Sequence, residues 1–483
     1  MNALETPETK LSARAWAALI VLCAALFLDA LDVSMVGMAL PRIGSDLHLS
    51  TSALQWVVSG YVLGYGGLLL LGGRAADLLG RRRVFVAALA VFVVASLFGG
   101  LVSNGALLIV SRFVKGMSAA FTAPAGLSLI TTSFAEGPAR NRALGVYTAT
   151  GASGFSLGLV LGGALTELGW RWCFLVPAPI ALAVLLAARR VLPADAPLAK
   201  QRRYDLPGAA TVTAAMLLLV YTVTQAPQVG WGATRTLAGL VAVTALLALF
   251  TVVELRSPAP LIRLGILRSR RIVGANLAAM TAFGSYIGFQ FIGTLYLQDL
   301  LGWSSLHAAL GFLPGGLLVA VLGPRIGPLA FRLGTTRILT AGLAILAAGY
   351  AVSTQIGLHT SYVSVFLPTM LLLGLGFGLA FPTLNIAATD GVANEEQGLA
   401  SGLVNTSFQL GGAIVLAVVT AVVTSGSGTS RGAAAILDRY HTGLAVVVGV
   451  AVLGFAVVGA SFFSRRPAPG EALEAEPAYE EAA

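Results

Sequence analysis

The stretch GGRAADLLGRRRVF, residues Gly72–Phe85, lies between two long apolar segments and holds four arginines and one aspartate. The whole chain of 483 residues is 11% charged and 57% hydrophobic, whereas soluble globular proteins carry about 25% charged residues. Apolar runs of about 18 residues or more recur along its length, each long enough to cross a hydrocarbon core of about 30 Å. The sequence therefore predicts a polytopic membrane protein in which Gly72–Phe85 is a short charged loop between two spans.

Apolar length and the charged or Gly/Pro-rich breaks predict fourteen spans, the first near residues 14–40 and the last near 441–462. An even number places both termini on the same side. With the N-terminus in the cytoplasm, most of the 30 lysines and arginines lie in inner segments, and the outer segments hold only Arg42, Arg171, Arg235, Arg431 and Arg439. The positive-inside rule therefore predicts cytoplasmic termini, and we expect a bacterial cell membrane.

Two basic inner loops bracket a pair of spans that carries few polar residues, and six spans remain on each side of that pair. The spacing of Gly73–Gly80 (GRAADLLG) recurs in Gly327–Gly334 (GPLAFRLG), each after the second span of its half. Two halves related by a repeat are a transporter architecture. The predicted fold is an all-α polytopic membrane protein with two six-helix bundles and two extra central helices. The predicted segments are a cytoplasmic N-terminus (1–13), an N-terminal bundle (14–188), basic loops with the extra spans (189–271), a C-terminal bundle (272–462) and a disordered cytoplasmic tail (463–483).

The charged loop contains an acidic residue among its arginines. On a short helical stretch Arg74, Asp77 and Arg81 stand at i, i+3 and i+7, so they predict an Arg–Asp–Arg ladder on one face. The positive-inside rule alone would explain Arg82 and Arg83, but it would not explain an aspartate between basic residues.

The glycines of the same loop suit a close contact and a turn. Gly72 and Gly73 let backbones approach, and Gly80 permits a left-handed turn before the next span. We expect the loop to be a cytoplasmic gate, which holds the two halves closed in one state and releases them in the other.

Charged residues also lie inside two predicted spans, Asp29 and Asp32 in the first and Arg112 and Lys115 in the fourth. A charge at the bilayer centre costs about 3 kcal/mol or more, so these side chains face a cavity or a partner. Counted from the outer ends at about 1.5 Å per residue, Arg112 lies about 9 Å deep and Asp32 about 12 Å deep. We therefore predict a proton-coupling ladder with two rungs, Asp32–Arg112 and Asp29–Lys115.

Two interpretations of this ladder stay open. Two nearby carboxylates disfavour joint ionisation, which suits a proton carrier whose ion pairs break and re-form. The alternative is a permanent ion pair with a structural role only. Asp29 either gains and loses a proton during transport, or it stays protonated throughout and takes no part.

Several motifs resemble those of the fourteen-span drug:proton antiporters of the major facilitator superfamily. Gly72–Phe85 is similar to the superfamily signature between spans two and three, and LDVSMVGMALP (Leu31–Pro41) resembles the antiporters' first-span signature. LLIVSRFVKGMSAA (Leu107–Ala120) is similar to their fourth-span motif, and GASGFSLGLVLGGALTELGWRWCF (Gly151–Phe174) to their fifth-span motif. The resemblance covers nearly the whole chain and implies a proton-driven exporter of drug-like compounds, with Asp32 at the family's acidic position.

The fifth-span motif indicates close helix packing. Gly154, Gly158 and Gly162, with Gly163 beside the last, have the small-xxx-small spacing that lets two helices approach. The family motif has a proline after the middle glycine, where this chain has Leu159. The kink that proline would impose is therefore not expected.

A mostly apolar, aromatic cavity with a few polar anchors is predicted between the halves, and such a cavity suits bulky amphipathic ligands. For each candidate lining residue taken alone, ordinary helix packing is the more common explanation. The candidates are Gln55, Tyr61, Tyr286, Gln290, Phe381, Asn385, Asn405 and Gln409.

Motifs of enzymes and metal sites give no competing prediction. GFSLG (Gly154–Gly158) matches the G-x-S-x-G nucleophile elbow, but that elbow needs a strand-to-helix turn and here it lies within a span. The sequence has no G-x-x-x-x-G-K-[ST] phosphate loop and no Cys/His cluster. We expect no enzymatic activity, no metal and no cofactor, with the proton gradient as the driving force.

The expected partners are an amphipathic small molecule, protons and the lipid bilayer, without nucleic acid, and we expect a monomer. The sequence does not identify the substrate. Two other functions stay open: a proton symporter that imports a small solute on the same fold, and a non-transporting membrane receptor. The first differs in the direction of solute movement, and the second would need a sizeable soluble domain.

Overall fold

The computed structural model describes residues 12–49, 51–134, 138–195, 205–257, 260, 264–390, 392, 397–424 and 432–462. Residues 1–11 of the predicted N-terminal segment and the whole predicted tail (463–483) lie outside the described residues. The helices of the first half are α1 (Ala13–Asp46), α2 (Thr51–Leu79), α3 (Arg81–Leu101), α4 (Gly105–Ser133), α5 (Pro138–Leu168), α6 (Trp172–Leu175) and α7 (Pro177–Val191). Two further helices, α8 (Leu206–Val229) and α9 (Thr234–Arg256), lead through a 3-10 turn (Leu264–Arg268) into the second half.

The second half begins with α10 (Arg270–Leu295), which continues into a π-helical turn (Tyr296–Leu300). It goes on with α11 (Ser305–Leu333) and α12 (Thr335–Ser353), and a second π-helical turn (Tyr362–Phe366) precedes α13 (Leu367–Thr389). The last helices are α14 (Gln397–Thr424) and α15 (Ala433–Phe462).

Within the described residues, 14 helical segments are long and apolar enough to span a membrane, as the sequence predicts. One boundary that differs from the prediction is the end of α1, which has 34 residues and continues through Pro41 to Asp46. At about 1.5 Å per residue this helix is about 50 Å long and exceeds the hydrocarbon core. Its polar end therefore reaches past the predicted boundary near Leu40.

Polar side chains satisfy the first backbone N–H groups of several helices. Ser12 caps α1, and the Asn104 side chain accepts hydrogen bonds from the N–H groups of Ala106 and Leu107 at 2.9 and 3.2 Å. Asp205 caps α8 through the N–H of Gly208 at 2.8 Å. These caps fix where the spans begin, since a helix start leaves N–H groups without partners.

The apolar cores divide between the two halves. Helices α1–α5 and α7 share one buried cluster near Leu22 and Phe85, and α10–α15 share another around Phe289 and Leu343. Met38 of α1 and Leu159 of α5 belong to the second cluster. The two bundles thus meet along α1 and α5 on one side, where α5 packs lengthwise on α11.

The two extra helices cover the other side of the bundle interface. Helix α8 packs on both α2 and α14, with Leu217 against Gly67. Helix α9 packs on α8, where the side chain of Thr222 lies against Gly239. The fold is therefore the predicted one, with two six-helix bundles and an added helix pair.

The repeated loop has the same backbone geometry in both halves. Gly80 separates α2 from α3 with φ of 102°, and Gly334 separates α11 from α12 with φ of 89°. A φ of this size is favourable chiefly for glycine, so the matching glycines explain why the chain turns at the same point in both halves.

Candidate functional site

The buried charges lie where α1 faces α4. Asp32 is 0% exposed, Arg112 1% and Lys115 0%. The Arg112 guanidinium (Nη1) pairs with Oδ2 of Asp32, and the Lys115 ammonium (Nζ) pairs with Oδ1. One carboxylate therefore holds two cations that stand three residues apart on one face of α4.

Further hydrogen bonds fix the two cations. Arg112 Nε donates to the carbonyl of Val57 at 3.0 Å, which connects α4 to α2. Lys115 Nζ donates to Ser96 Oγ on α3 at 2.9 Å. Asp32, Arg112 and Lys115, which we call the charge cluster, thus join four helices of the first bundle. Asp32 stands at the centre of this cluster.

Aromatic rings exclude water from this cluster. The Arg112 guanidinium lies 4.7 Å from the ring centroid of Tyr61, and the Lys115 ammonium lies 4.6 Å from that of Phe92 and 5.3 Å from that of Phe174. Cation–π contacts strengthen when they are desolvated. Tyr61, predicted to line the cavity, is 2% exposed and instead covers Arg112.

The predicted Asp29–Lys115 rung is wrong. Asp29 Oδ2 accepts a hydrogen bond from the Thr122 hydroxyl at 2.8 Å, and Lys115 pairs with Asp32. The prediction compared the depths of Cα atoms along the helices. The long lysine side chain extends along the helix surface, so its ammonium group reaches the carboxylate that Arg112 already holds. Asp29 is 8% exposed and so is the least buried of these four charged residues.

The glycines of α5 bring it against α1. An added Cβ would stand 2.6 Å from the carbonyl oxygen of Phe27 at Gly154, 2.7 Å from that of Leu31 at Gly158, and 2.6 Å from Cα of Met35 at Gly162. Real Cβ atoms do not make such contacts, so glycine is required at each position. Gly163 is also buried.

Leu159, which replaces the family's proline, has a clear place in the structure. Helix α5 is continuous from Pro138 to Leu168. The Leu159 side chain is 3% exposed and packs in the apolar cluster of the second bundle. The residue therefore adds apolar contact between the bundles where the family motif has a proline.

In the loop between α2 and α3, Arg74, Asp77 and Arg81 do not lie on one continuous helix, and their Arg–Asp–Arg ladder stays a prediction. Helix α2 ends at Leu79, the chain turns at Gly80, and Arg81 begins α3. The positive φ of Gly80 redirects the chain, so Arg81 does not continue the face of α2. The side chain of Asp77 lies outside the described residues.

Close backbone approach in this loop occurs one residue before Gly73. A Cβ at Gly72 would collide with the backbone of Ala120 on α4, whereas one at Gly73 would have Pro124 at 3.7 Å, an ordinary contact. Arg74 is half-buried. The role of these residues as a gate stays a prediction.

Asp195, which sequence reasoning missed, holds the start of α3. Its Oδ1 and Oδ2 accept hydrogen bonds from the N–H groups of Arg82 and Arg83 at 2.9 and 3.0 Å. The Arg82 guanidinium also donates to the carbonyl of Arg189 at the end of α7. The signal was present in the sequence, because Asp195 is an acidic residue in a basic inner loop, as Asp77 is.

We expect Asp195→Ala to lower stability by about 1 kcal/mol, because it leaves two N–H groups of α3 without their cap. Asp195→Asn keeps an acceptor oxygen and should lose less than half of that. Thermal unfolding of the purified protein measures the difference. Hydrogen exchange of peptides that cover Arg82 and Arg83 should be faster in the alanine variant only. Equal losses in the two variants would show that the charge, not the cap, matters.

The predicted cavity residues lie on four helices, α2, α10, α13 and α14. Tyr286, Phe381, Gln290 and Gln409 are half-buried, and the Asn385 amide donates to the carbonyl of Phe381 at 2.9 Å. Asn405 on α14 is half-buried as well, and the side chain of Gln55 lies outside the described residues. Among them, Tyr286 and Phe381 take part in ring contacts that link α5, α10, α13 and α14.

Two bundles of membrane helices, with a buried charge cluster in the first, define a secondary transporter. The chain belongs to the Major Facilitator Superfamily, whose family profile matches residues 22–416. The resemblance found in the motifs is thereby confirmed.

Two proteins named for antibiotic export or resistance are similar to this chain over nearly their whole length. The chain is 40% identical over 461 residues to the cephamycin export protein CmcT of Amycolatopsis lactamdurans, and the match covers 94% of each chain. It is 37% identical over 477 residues to the puromycin resistance protein pur8 of Streptomyces alboniger, covering 95% of this chain and 93% of that protein.

A solved structure agrees on the fold. The crystal structure of the human organic anion transporter MFSD10 matches with a TM-score of 0.64 at 17% identity, covering 93% of this chain and 100% of that one. At this identity the likeness shows the fold alone.

Proposed function

We propose that the chain is an antiporter that exports an amphipathic, antibiotic-like compound from the cytoplasm in exchange for protons. The observation that carries the proposal is Asp32, a fully buried carboxylate that holds two cations from a second membrane helix. Intramembrane ionisable residues of this kind mark ion pathways. The names of two similar proteins, an export protein and a resistance protein, support export as the direction.

The charge cluster supplies a two-state element. While Asp32 is ionised, its pairs with Arg112 and Lys115 hold α1 against α4. A proton on Asp32 removes the charge that both cations face, so both pairs weaken at once. Because Arg112 is also bonded to α2 and Lys115 to α3, the change reaches every helix of the cluster.

The setting of this activity follows from the same features. We propose the bacterial cell membrane, with both termini in the cytoplasm, because the basic residues concentrate in the inner loops. The proton gradient is the proposed energy source, without a cofactor or an enzymatic step. The partners are protons, the lipid bilayer and the exported compound, without nucleic acid, and the working unit is a monomer.

Transport by purified protein in liposomes tests the proposal. Vesicles with the cytoplasmic face outward and an acidic interior would contain a pH-sensitive dye. Lipophilic dyes and antibiotics, puromycin among them, would be added outside. We expect at least one compound to accumulate while protons leave. Movement of protons and solute in the same direction would instead support the symporter, and no movement of any compound would refute the proposal.

A further inference from the structure

Asp29 is a second buried carboxylate of α1, one helical turn from Asp32 and bonded to a different kind of partner. Its Oδ2 accepts a hydrogen bond from the hydroxyl of Thr122, and the two residues are 8% and 2% exposed. Lys115 pairs with Asp32, and in the described part of the chain no other cation pairs with Asp29. Asp29 can therefore take up a proton without leaving a buried cation unpaired.

The Thr122 hydroxyl can serve Asp29 in either protonation state. A hydroxyl has one proton to donate and can also accept. While Asp29 is ionised, Oγ1 of Thr122 donates to it at 2.8 Å. The carbonyl oxygen of Ala119 lies 3.2 Å from the same Oγ1. Once Asp29 carries a proton, the hydroxyl can turn, donate to Ala119 and accept from Asp29. Both states thus keep their hydrogen bonds without the movement of a helix.

A proton costs more on Asp32 than on Asp29. Both oxygens of Asp32 face cations, so its protonation leaves two buried cations facing a neutral group. Such a proton is readily given to a nearby carboxylate. With α1 beginning in the cytoplasm, as proposed above, Asp29 stands about 4.5 Å nearer the cytoplasm than Asp32. It therefore lies on the side to which an exchanged proton is released.

The Tyr61 hydroxyl is available to connect the two carboxylates. The side chain is 2% exposed, and the hydroxyl has no hydrogen-bond partner among the described residues. Buried hydroxyls normally have a partner, so one without needs an explanation. Both carboxylates are within electrostatic reach of this hydroxyl. The other titratable groups that face Asp29 are Lys115 on α4, Tyr65 on α2 and Tyr147 on α5.

We infer that Asp29 and Thr122 form a second proton site on the cytoplasmic side of Asp32. This inference rests on the proposed function and adds the route of the proton. In the transfer, Oη of Tyr61 accepts the proton of Asp32 and gives its own proton to Asp29. Asp32 is left ionised between its two cations and Asp29 is left neutral, so the net change is the movement of one proton. Asp29 then releases it to the cytoplasm.

Export at several values of the cytoplasmic-side pH tests the inference on the full-length protein in liposomes, with puromycin and ethidium as the compounds. The wild type releases protons to that side, so its rate should fall as the pH there falls. Asp29→Asn should lower the rate about 10- to 100-fold, since a positioned proton-transfer group is typically worth at least that much. The remaining rate should depend little on this pH. The melting temperature should stay near the wild-type value, because no cation loses its partner.

Substitutions of the two hydroxyl groups refine this test. Tyr61→Phe keeps the ring over Arg112 but removes the hydroxyl, so it should slow export. Thr122→Val should also slow export, whereas Thr122→Ser keeps the hydroxyl and should match the wild type. Thr383→Val is the matched control, because this buried threonine on α13 donates to carbonyls of its own helix. An unchanged pH dependence in Asp29→Asn, or equal rates in Thr122→Val and Thr122→Ser, would overturn the inference.

Infrared spectroscopy separates this inference from the proposed function, because it needs no transport. A protonated carboxyl has a C=O stretching band that a carboxylate lacks. In lipid nanodiscs, acidification from about pH 8 to about pH 6 stays above the range in which exposed carboxyls titrate. It should produce this band in the wild type and in Asp46→Asn, but not in Asp29→Asn. A band that persists in Asp29→Asn would contradict the second proton site.

The two proposals fail in different ways. A wild type that shows the Asp29 band but moves no compound against a gradient would refute transport and leave the second proton site standing. A wild type that exports, with an Asp29→Asn variant that exports equally well, would refute the second proton site and leave transport standing.

Discussion

Asp32→Asn is expected to reduce export driven by a pH gradient to the background of protein-free liposomes. Asparagine has nearly the same shape but binds no proton in the transport cycle, and it gives Arg112 and Lys115 no charge to release. Substrate counterflow at equal pH on both sides should persist, because the change leaves the helices of the second bundle untouched. The two assays together separate coupling from binding.

The same substitution carries a cost in stability. Removing one partner of a buried ion pair costs about 3–5 kcal/mol, because the remaining charge stays buried without compensation. Asp32→Asn leaves two such cations. The double variant Asp32→Asn/Lys115→Met restores the net charge of the cluster, so thermal stability should recover in part. Export driven by the gradient should not recover, and this outcome distinguishes lost coupling from lost folding.

Asp46→Asn is a matched control for the single variant. Asp46 lies at the C-terminal end of α1 with a 48% exposed side chain and accepts hydrogen bonds from Trp170 and Arg171, both at 2.8 Å. The amide oxygen can still accept these bonds, so transport should stay near the wild-type level. Normal gradient-driven export by Asp32→Asn would show that the charge cluster has only a structural role.

The fold could be predicted from the sequence because membrane spans follow from apolar length alone. The number of spans and the turn at Gly80 agree with the structure, and Gly334 turns at the repeated position. Helix ends were less predictable: α1 continues to Asp46, since apolar length does not report a helix that extends past the membrane. Glycine spacing predicted the contact of α5, although the partner helix is seen only in three dimensions.

The candidate site was predictable in its residues but not in its pairing. A charged residue inside a span needs a partner, which identifies Asp32, Arg112 and Lys115 from the sequence. The choice between Asp29 and Asp32 as the partner of Lys115 depends on side-chain reach and helix rotation, and one sequence fixes neither. Asp195 could be noticed as an acidic residue in a basic loop, but its role as the cap of α3 could not, because the capped N–H groups lie more than a hundred residues away.

Gly158→Ala is expected to destabilise the protein although alanine is the better helix former. The added Cβ would lie 2.7 Å from the carbonyl oxygen and 2.9 Å from Cα of Leu31, so α1 and α5 must separate. Overpacking of this kind typically costs about 1–3 kcal/mol. Leu31 precedes Asp32 on α1, and so the displacement should also disturb the charge cluster and lower transport.

Gly145→Ala is the control on the same helix. A Cβ at Gly145 has nothing within 4 Å, so alanine should stabilise α5 by up to about 1 kcal/mol through its higher helix propensity. The two variants therefore make the same chemical change in α5 with opposite expected signs, and thermal unfolding of the purified proteins gives both. If both raise the melting temperature, α1 and α5 are not in close backbone contact at Gly158. If only Gly158→Ala lowers it, the glycine spacing holds α1 in register with α5.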